Sequence, residues 1–440
     1  MMNYSYLSFK GQGGFARVDV VTDQQGQLFA KKTYSPDAQL VRDIGDDHLK
    51  RRFIREVKYQ SSVQHPNVVE VVEQFLQEDP PYFIMPLADC TLKDELQADA
   101  TLGKNLMPAL FGILAGLEFL HSRGFVHRDL KPANVLRYTR QGSEIIYAIS
   151  DFGLMSASNS ESSTLTGTNA NGGTENYAAP EQIGNFRRAT ASADIYAFGA
   201  ILHDIFGNRA QRIPYTELTV PGPVGKIIEK CTKRLPIRRY TSVSALRDEL
   251  YQVLNSDTVT FNSSSEEGIV ALLHSKTILT DDEWDSVFIQ IERNLSQQLN
   301  CNIIFSALSI DHINHLFSNS PDLFAAMGGY FAESINGGTF NFDYCDVLAS
   351  KAEVFYINAE LGLKSQIAIA LLYLGTSHNR WYVERKVESM LNQNISLELA
   401  ERIKIELEVQ QVDFRGQIEQ MCRSIRVSNS FLHPVLYKML

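Results

Sequence analysis

Two segments constrain this chain of 440 residues more than anything else in it. One is His127-Arg128-Asp129-Leu130-Lys131-Pro132-Ala133-Asn134; the other is Asp151-Phe152-Gly153. Each lies beside a short β-like run, near 135–136 and 145–149 respectively. The chain changes character around them. The first 85 residues read mostly as strands, at 5–9, 17–22, 28–34, 68–77 and 82–85. One helix around 47–63 interrupts them, with Leu49, Phe53, Val57 and Tyr59 at roughly helical spacing. From Leu92 onward helical patterns dominate. The stretch 255–267 is rich in Ser and poor in apolar residues, which reads as a linker. Beyond it, Thr280-Asp281-Asp282-Glu283 forms a capping box that opens a helix to about Leu299. Further helices are expected at 322–335, 348–361, 365–375, 381–391, 396–410 and 413–425.

Near the N-terminus, Gly11-Gln12-Gly13-Gly14-Phe15-Ala16-Arg17-Val18 joins two strand-like runs. Glycines without a Cβ let a hairpin backbone come close to a phosphate chain, whose oxygens its N–H groups can bond. A plain tight turn has the same composition. No Gly-Lys-Ser/Thr follows, which excludes a Walker loop. Phe29-Ala30-Lys31-Lys32 ends the strand at 28–34. A strand lysine beside such a hairpin reaches the same phosphates if a carboxylate holds it, and Glu56 on the intervening helix is the candidate.

Glycine-rich hairpin, strand lysine, helix glutamate, the octapeptide, Asp-Phe-Gly and Ala179-Pro180-Glu181 follow one another in that order. Through them the chain resembles the protein kinase superfamily, in its bacterial, eukaryotic-like Ser/Thr branch, over about 4–254. The resemblance implies an α+β bilobal fold, with a β-rich N-lobe (1–87) and a helical C-lobe (88–254). A linker (255–267) and a mostly α-helical domain of no recognised family (268–440) would follow. It implies Asp129 as the group that orients the substrate hydroxyl, Lys131 facing the transferring phosphoryl, and Asn134 and Asp151 as ligands of Mg2+, with Mn2+ as an alternative. ATP would be held by Gly11, Gly13, Gly14, Val18, Ala30, Lys32 with Glu56, the gatekeeper Met85, and the hinge at Leu87 and Ala88. Pro86 has no N–H, so an adenine contact falls to Leu87 or Ala88.

The same resemblance makes Asp194 a buried support of the catalytic loop and pairs Arg239 with Glu181. It makes Arg128 the receiver of a phosphate on the segment 151–181, where Thr166 or Thr168 is the expected autophosphorylation site. Thr174 is expected to bond Asp129 and Lys131. One position departs from the family pattern: Ala16 stands where the third glycine of the loop belongs. Lys131 and the Gly173-Thr174 pair point to Ser/Thr rather than Tyr acceptors in protein substrates. A nucleotide-binding scaffold without catalysis is the alternative, opposed by the intact lysine and both aspartates.

Charge and cysteine usage bound the setting. The net charge of −10 is uneven: residues 1–254 carry 28 Lys+Arg against 28 Asp+Glu, and 255–440 carry 13 against 23. A neutral part beside an acidic one argues against general nucleic-acid binding. Five scattered cysteines, never at C-x-x-C spacing, argue against a disulfide framework or zinc site and for a reducing, cytoplasmic setting. The longest apolar stretch, 109–120, contains Glu118 and is too short to span a bilayer, so no membrane partner is expected. For the C-terminal part, substrate recruitment, cis-regulation and homodimerisation stay open.

Overall fold

The computed structural model describes residues 4–140, 144–151, 156–157, 174–183, 189–207, 212–255, 261–336 and 338–440. They divide into two compact units, Met1–Leu246 and Arg247–Leu440.

The first unit opens with five strands: β1 (Ser5–Gln12), β2 (Ala16–Thr22), β3 (Leu28–Tyr34), β4 (Glu73–Phe75) and β5 (Tyr82–Pro86). They form one antiparallel sheet in the order β1-β2-β3-β5-β4. Two helices, α1 (Ala38–Ile44) and α2 (Asp46–Ser61), lie between β3 and β4 in sequence. Two periods meet here. Strand alternation sets Ala30, Lys32 and Tyr34 on one face of β3, where Ala30 and Tyr34 are buried. The 3.6-residue helical period sets Leu49, Phe53 and Val57 on the buried stripe of α2, with Glu56 beside them. Both stripes enter one apolar cluster with Met85 and Ala148, so the strand lysine and the helix carboxylate are brought together by packing.

Helix α1 was not expected, because seven residues with one buried side chain, Leu40, leave no period to read. The strand expected at 68–77 narrows to β4. Its valines instead run past β9 (Ile145–Ile149), with Val69 N–H bonding Ile149 O at 2.9 Å.

The remainder of this unit holds α3 (Leu92–Ala98), α4 (Leu106–Ser122), α5 (Ala191–Phe206), α6 (Pro223–Cys231) and the start of α7 (Val243–Asn255). Short strands β6 (Cys90–Thr91) and β8 (Val135–Thr139) complete a three-stranded sheet with β9, while β7 (Phe125–Val126) pairs with β10 (Ser156–Ala157). The register of the β8–β9 hairpin positions the site. Val135 faces Ile149, so Asn134 and Ser150 are neighbours, joined by Ser150 N–H to Asn134 O at 2.8 Å. Asp151 then emerges beside the loop 127–134.

The second unit is helical: α8 (Ser264–Ser275), α9 (Asp281–Ser296), α10 (Asn302–Ala307), α11 (Ile310–Asn319), α12 (Pro321–Ile335), α13 (Phe342–Asn358), α14 (Leu361–His378), α15 (Trp381–Leu391), α16 (Leu397–Val409), α17 (Phe414–Ile425) and α18 (Pro434–Tyr437). Helix α14 is buried over most of Ser365–Thr376, with Gln366, Tyr373 and Ser377 left exposed on one face. Helix α9 begins at the capping box on Thr280. The linker reading of 255–267 does not hold at its end, because Ser263 caps α8 through Glu266 N–H and Glu266 is buried. The division between units also falls inside α7 rather than at 254. Arg247 and Asp248 are buried with α13, where Asp248 pairs with Lys351 at 2.9 Å and Arg247 donates to Ser350 Oγ at 3.1 Å. Among the described residues, no helix is long and apolar enough to cross a membrane.

Candidate active site

The site is built on three supports: the buried lysine of β3, the loop 127–134, and the residue after β9. Lys32 Nζ lies 3.3 Å from both Glu56 Oε1 and Asp151 Oδ1. Burial works against the charge on Lys32, but Asp151 and Glu56 outweigh it and raise its pKa. Glu56, 8% exposed, is pushed up to about 7 by burial, with Lys32 opposing. Asp151 is held down to about 2: burial would raise it, but Lys32 and then Lys131 prevail, an effect that solvent screens at a side chain 46% exposed. Lys32 therefore stays protonated between the two carboxylates.

In the loop, Lys131 Nζ donates to Asp129 Oδ2 at 2.8 Å, and Asn134 Nδ2 donates to Asp129 O at 2.8 Å and to Oδ2 at 3.1 Å. The other carboxylate oxygen, Asp129 Oδ1, is buried without a hydrogen-bond partner among the described residues. A buried acceptor left in this way is costly unless something else fills it. Both Arg128 and Asp151 have left-handed backbones, φ 68° and 69°, which non-glycine residues adopt rarely.

Asp194, fully buried on α5, holds that backbone. Its carboxylate accepts from His127 N–H at 2.9 Å, Arg128 N–H at 2.8 Å and His121 Nε2 at 2.8 Å. Burial would raise its pKa, yet the His121 hydrogen bond and the charges around it keep it low. His127 Nε2 donates in turn to Ser150 O at 2.9 Å, tying the loop to the end of β9. Arg239, its side chain inaccessible, forms a two-pronged pair with Glu181 at 2.6 and 2.7 Å. Gln182 Nε2 reaches Arg128 O at 3.0 Å, linking the Ala179-Pro180-Glu181 turn to the loop.

Of the expected nucleotide contacts, Ala30 and Met85 are register partners across β3 and β5, and Val18 and Leu87 pack on the same cluster. Gly11 lies in β1 opposite Val18, and Gly13 N–H closes the hairpin onto Ala16 O at 2.9 Å. Ala88 follows β5 and is half-buried. Thr166 and Thr168 lie outside the described residues, and Thr174 is described only as the start of a short turn.

Sequence reasoning missed four residues here. His121 and Gln182 act through the backbone of a distant loop, and nothing in their local sequence announces it. Leu136, on β8 two residues after Asn134, packs on the cluster that holds Ala30 and Met85. Arg52, one helical turn before Glu56, lies among the charged residues Lys50, Arg51, Arg55 and Lys58 of α2, and its guanidinium carbon is 4.9 Å from the centre of the Phe15 ring.

Residues 4–217 match the profile of the protein kinase domain. This stretch is a protein kinase domain. It groups with bacterial Ser/Thr protein kinases. The chain is 28% identical to the serine/threonine-protein kinase PrkC of Bacillus subtilis over 280 residues, 58% of this chain and 41% of that protein. It is 35% identical over 206 residues to a probable serine/threonine-protein kinase of Streptomyces coelicolor, 44% of this chain and 28% of that one. It is 32% identical over 206 residues to the probable serine/threonine-protein kinase PknB of Lactococcus lactis, 46% of this chain and 31% of that one. The chain thus spans well under half the length of these relatives. The matched residues lie within the first unit.

Proposed function

We propose that this chain is an ATP-dependent Ser/Thr protein kinase that transfers the γ-phosphate of Mg-ATP to protein hydroxyls. The observation that carries the reading is the division of labour at Asp129. One oxygen is fixed by Lys131 and Asn134, and the other is buried without a partner among the described residues, where this reading places the substrate hydroxyl. The donor set fits the nucleotide and its metal. Lys32, kept charged by two carboxylates, suits phosphate oxygens, and Asn134 with Asp151 offers the oxygen ligands that Mg2+ or Mn2+ prefers. Val18, Ala30, Met85 and Leu136 supply the apolar walls for an adenine ring, with Leu87 and Ala88 giving backbone groups. When bound, Mg-ATP supplies the phosphoryl group and the metal's charge neutralisation; the protein supplies position and charge. Asp129 Oδ1 orients the acceptor hydroxyl and takes its proton, while Lys131 sits where negative charge gathers.

Arg128 Nε is buried with no partner among the described residues, which supports the expectation of a phosphate at Thr166 or Thr168. In this reading the acidic C-terminal unit targets or regulates transfer, in cis or through a homodimer. The test is phosphate transfer to an added acceptor protein alongside Mg-ATP binding by calorimetry. Asp129→Asn should lower turnover about 10²–10⁴-fold with affinity changed less than about twofold. Wild-type protein that binds Mg-ATP yet transfers nothing would instead make the chain a nucleotide-binding scaffold.

A further inference from the structure

The glycine-rich turn is tied at its backbone: Gly14 O accepts from Asp37 N–H at 2.9 Å and Phe15 O from Ser35 N–H at 3.0 Å. The Phe15 side chain packs on the cluster formed by α2 and the sheet. Arg52 meets it there, its guanidinium carbon 4.9 Å from the ring centre. Four residues along α2, the same helix face presents Glu56, which holds Lys32. Arg52 Nη1 is itself removed from solvent. The charges it feels are those of the site: burial opposes its own charge, while Glu56, Asp151 and Asp129 favour it and the neighbouring Arg55 disfavours it. A cation over a ring in a partly desolvated setting gains more than at an open surface.

We propose that Arg52 is a positioning residue that couples the glycine-rich turn to α2, stacking on Phe15 so that the turn is held over the phosphate site only when Glu56 is in place to pair with Lys32. Helix position and loop closure become one variable. The departure at Ala16 fits this, since a turn with a Cβ at that position is stiffer than one with glycine and is set by its anchors. The cation–ring contact needs both partners. Removing either one should release the turn to the same extent, and removing the second should then cost little more.

This inference rests on the kinase reading, and the experiment keeps the two apart. Mg-ATP affinity is measured by calorimetry in the full chain for wild type, Arg52→Gln, Phe15→Leu and the double variant, with Arg52→Lys and Phe15→Tyr as conservative replacements. Thermal unfolding without nucleotide checks that every variant is folded. Each single change should weaken affinity about fivefold, about 1 kcal/mol. The double variant should stay near fivefold rather than reach about 25-fold, and the conservative replacements should recover most of the loss. Additive losses, a silent Phe15→Leu, or a silent Arg52→Gln would overturn the coupling. Phosphate transfer by the wild type is read separately: its absence would refute the kinase reading while the affinity cycle still decides the coupling.

Discussion

At the scale of single residues, the molecule places unusual side chains in two settings and treats them differently. In the kinase domain, Glu56 is buried but lies 3.3 Å from Lys32, whose charge opposes the effect of burial. In the C-terminal unit, Glu384 on α15 is fully buried and has no cation bonded to it: Ser424 Oγ donates to Oε2 at 2.6 Å, and Oε1 has no partner among the described residues. Gly375 of α14 leaves room for it, since a Cβ there would lie 3.0 Å from Glu384 Cγ. Burial pushes its pKa up to about 7, with Ser424 and Arg385 opposing; the Cys422 thiol on α17 feels its charge. The folded form therefore binds its proton more tightly than the unfolded chain, whose carboxyl titrates near 4.5. Stability from this group is complete below pH about 4.5 and is lost as pH rises to about 7. Thermal unfolding of the wild type should move to lower temperature between pH 5 and pH 8, and Glu384→Gln should flatten that dependence. An identical slope in the variant would remove Glu384 from the account. Residues of this kind were invisible in the sequence, because only packing decides whether one glutamate among many is buried. The residues 127–134 and Asp151 stand out in the sequence for the opposite reason: their types and spacing carry the resemblance to protein kinases, whatever packs around them. Arg52 sits between these cases: its neighbours Arg51 and Lys58 are exposed, while it packs over Phe15.

At the scale of elements, the site depends on how closely α4 approaches β9. Two glycines on α4 allow it. At Gly116 an added Cβ would lie 2.5 Å from Asn67 O, a carbonyl already committed to Ile149 N–H at 2.9 Å, and 3.0 Å from Ile149 Cδ1. The backbone cannot yield without loosening the strand that delivers Asp151. Gly116→Ala should destabilise the kinase unit by about 1–3 kcal/mol despite the better helix propensity of alanine, worth about 1 kcal/mol. Denaturant unfolding reads this, and a variant at least as stable as the parent would contradict the close approach. Elements with a clear period or cap were legible, among them α2, α9 and the β1–β3 strands. Helix α13 was read as beginning at 348, yet it starts at Phe342 behind the cap Asn341, whose Oδ1 accepts from Tyr344 N–H at 2.8 Å. The first turn hides its helical character because Phe342 is exposed and Asp346 is buried against Arg380, the reverse of a simple apolar stripe. The short helices α10 and α11 were not expected either, although α11 buries Ile310, Ile313 and Leu316 at helical spacing.

At the scale of the whole molecule, the boundary between the two units falls within α7. Helix α7 opens in the kinase unit, and its second half supplies Arg247, Asp248 and Tyr251 to the helical unit, where Tyr251 stacks on Tyr344 at 5.2 Å between ring centres. Burial favours the neutral forms of Lys351 and Asp248, and their mutual attraction opposes it. A linker reading of the following Ser-rich stretch was natural, since composition reports solubility but not which side of a boundary a helix serves. The excess acidity of residues 255–440 likewise speaks to partners, not to fold. What the whole chain does is decided most directly by a mass-spectrometric phosphosite map of the purified protein after incubation with Mg-ATP, wild type against Asp129→Asn. The account predicts phosphate on serine or threonine in the wild type, at Thr166 or Thr168 first, and none acquired by Asp129→Asn; phosphate appearing equally in both proteins, or in neither, would contradict it.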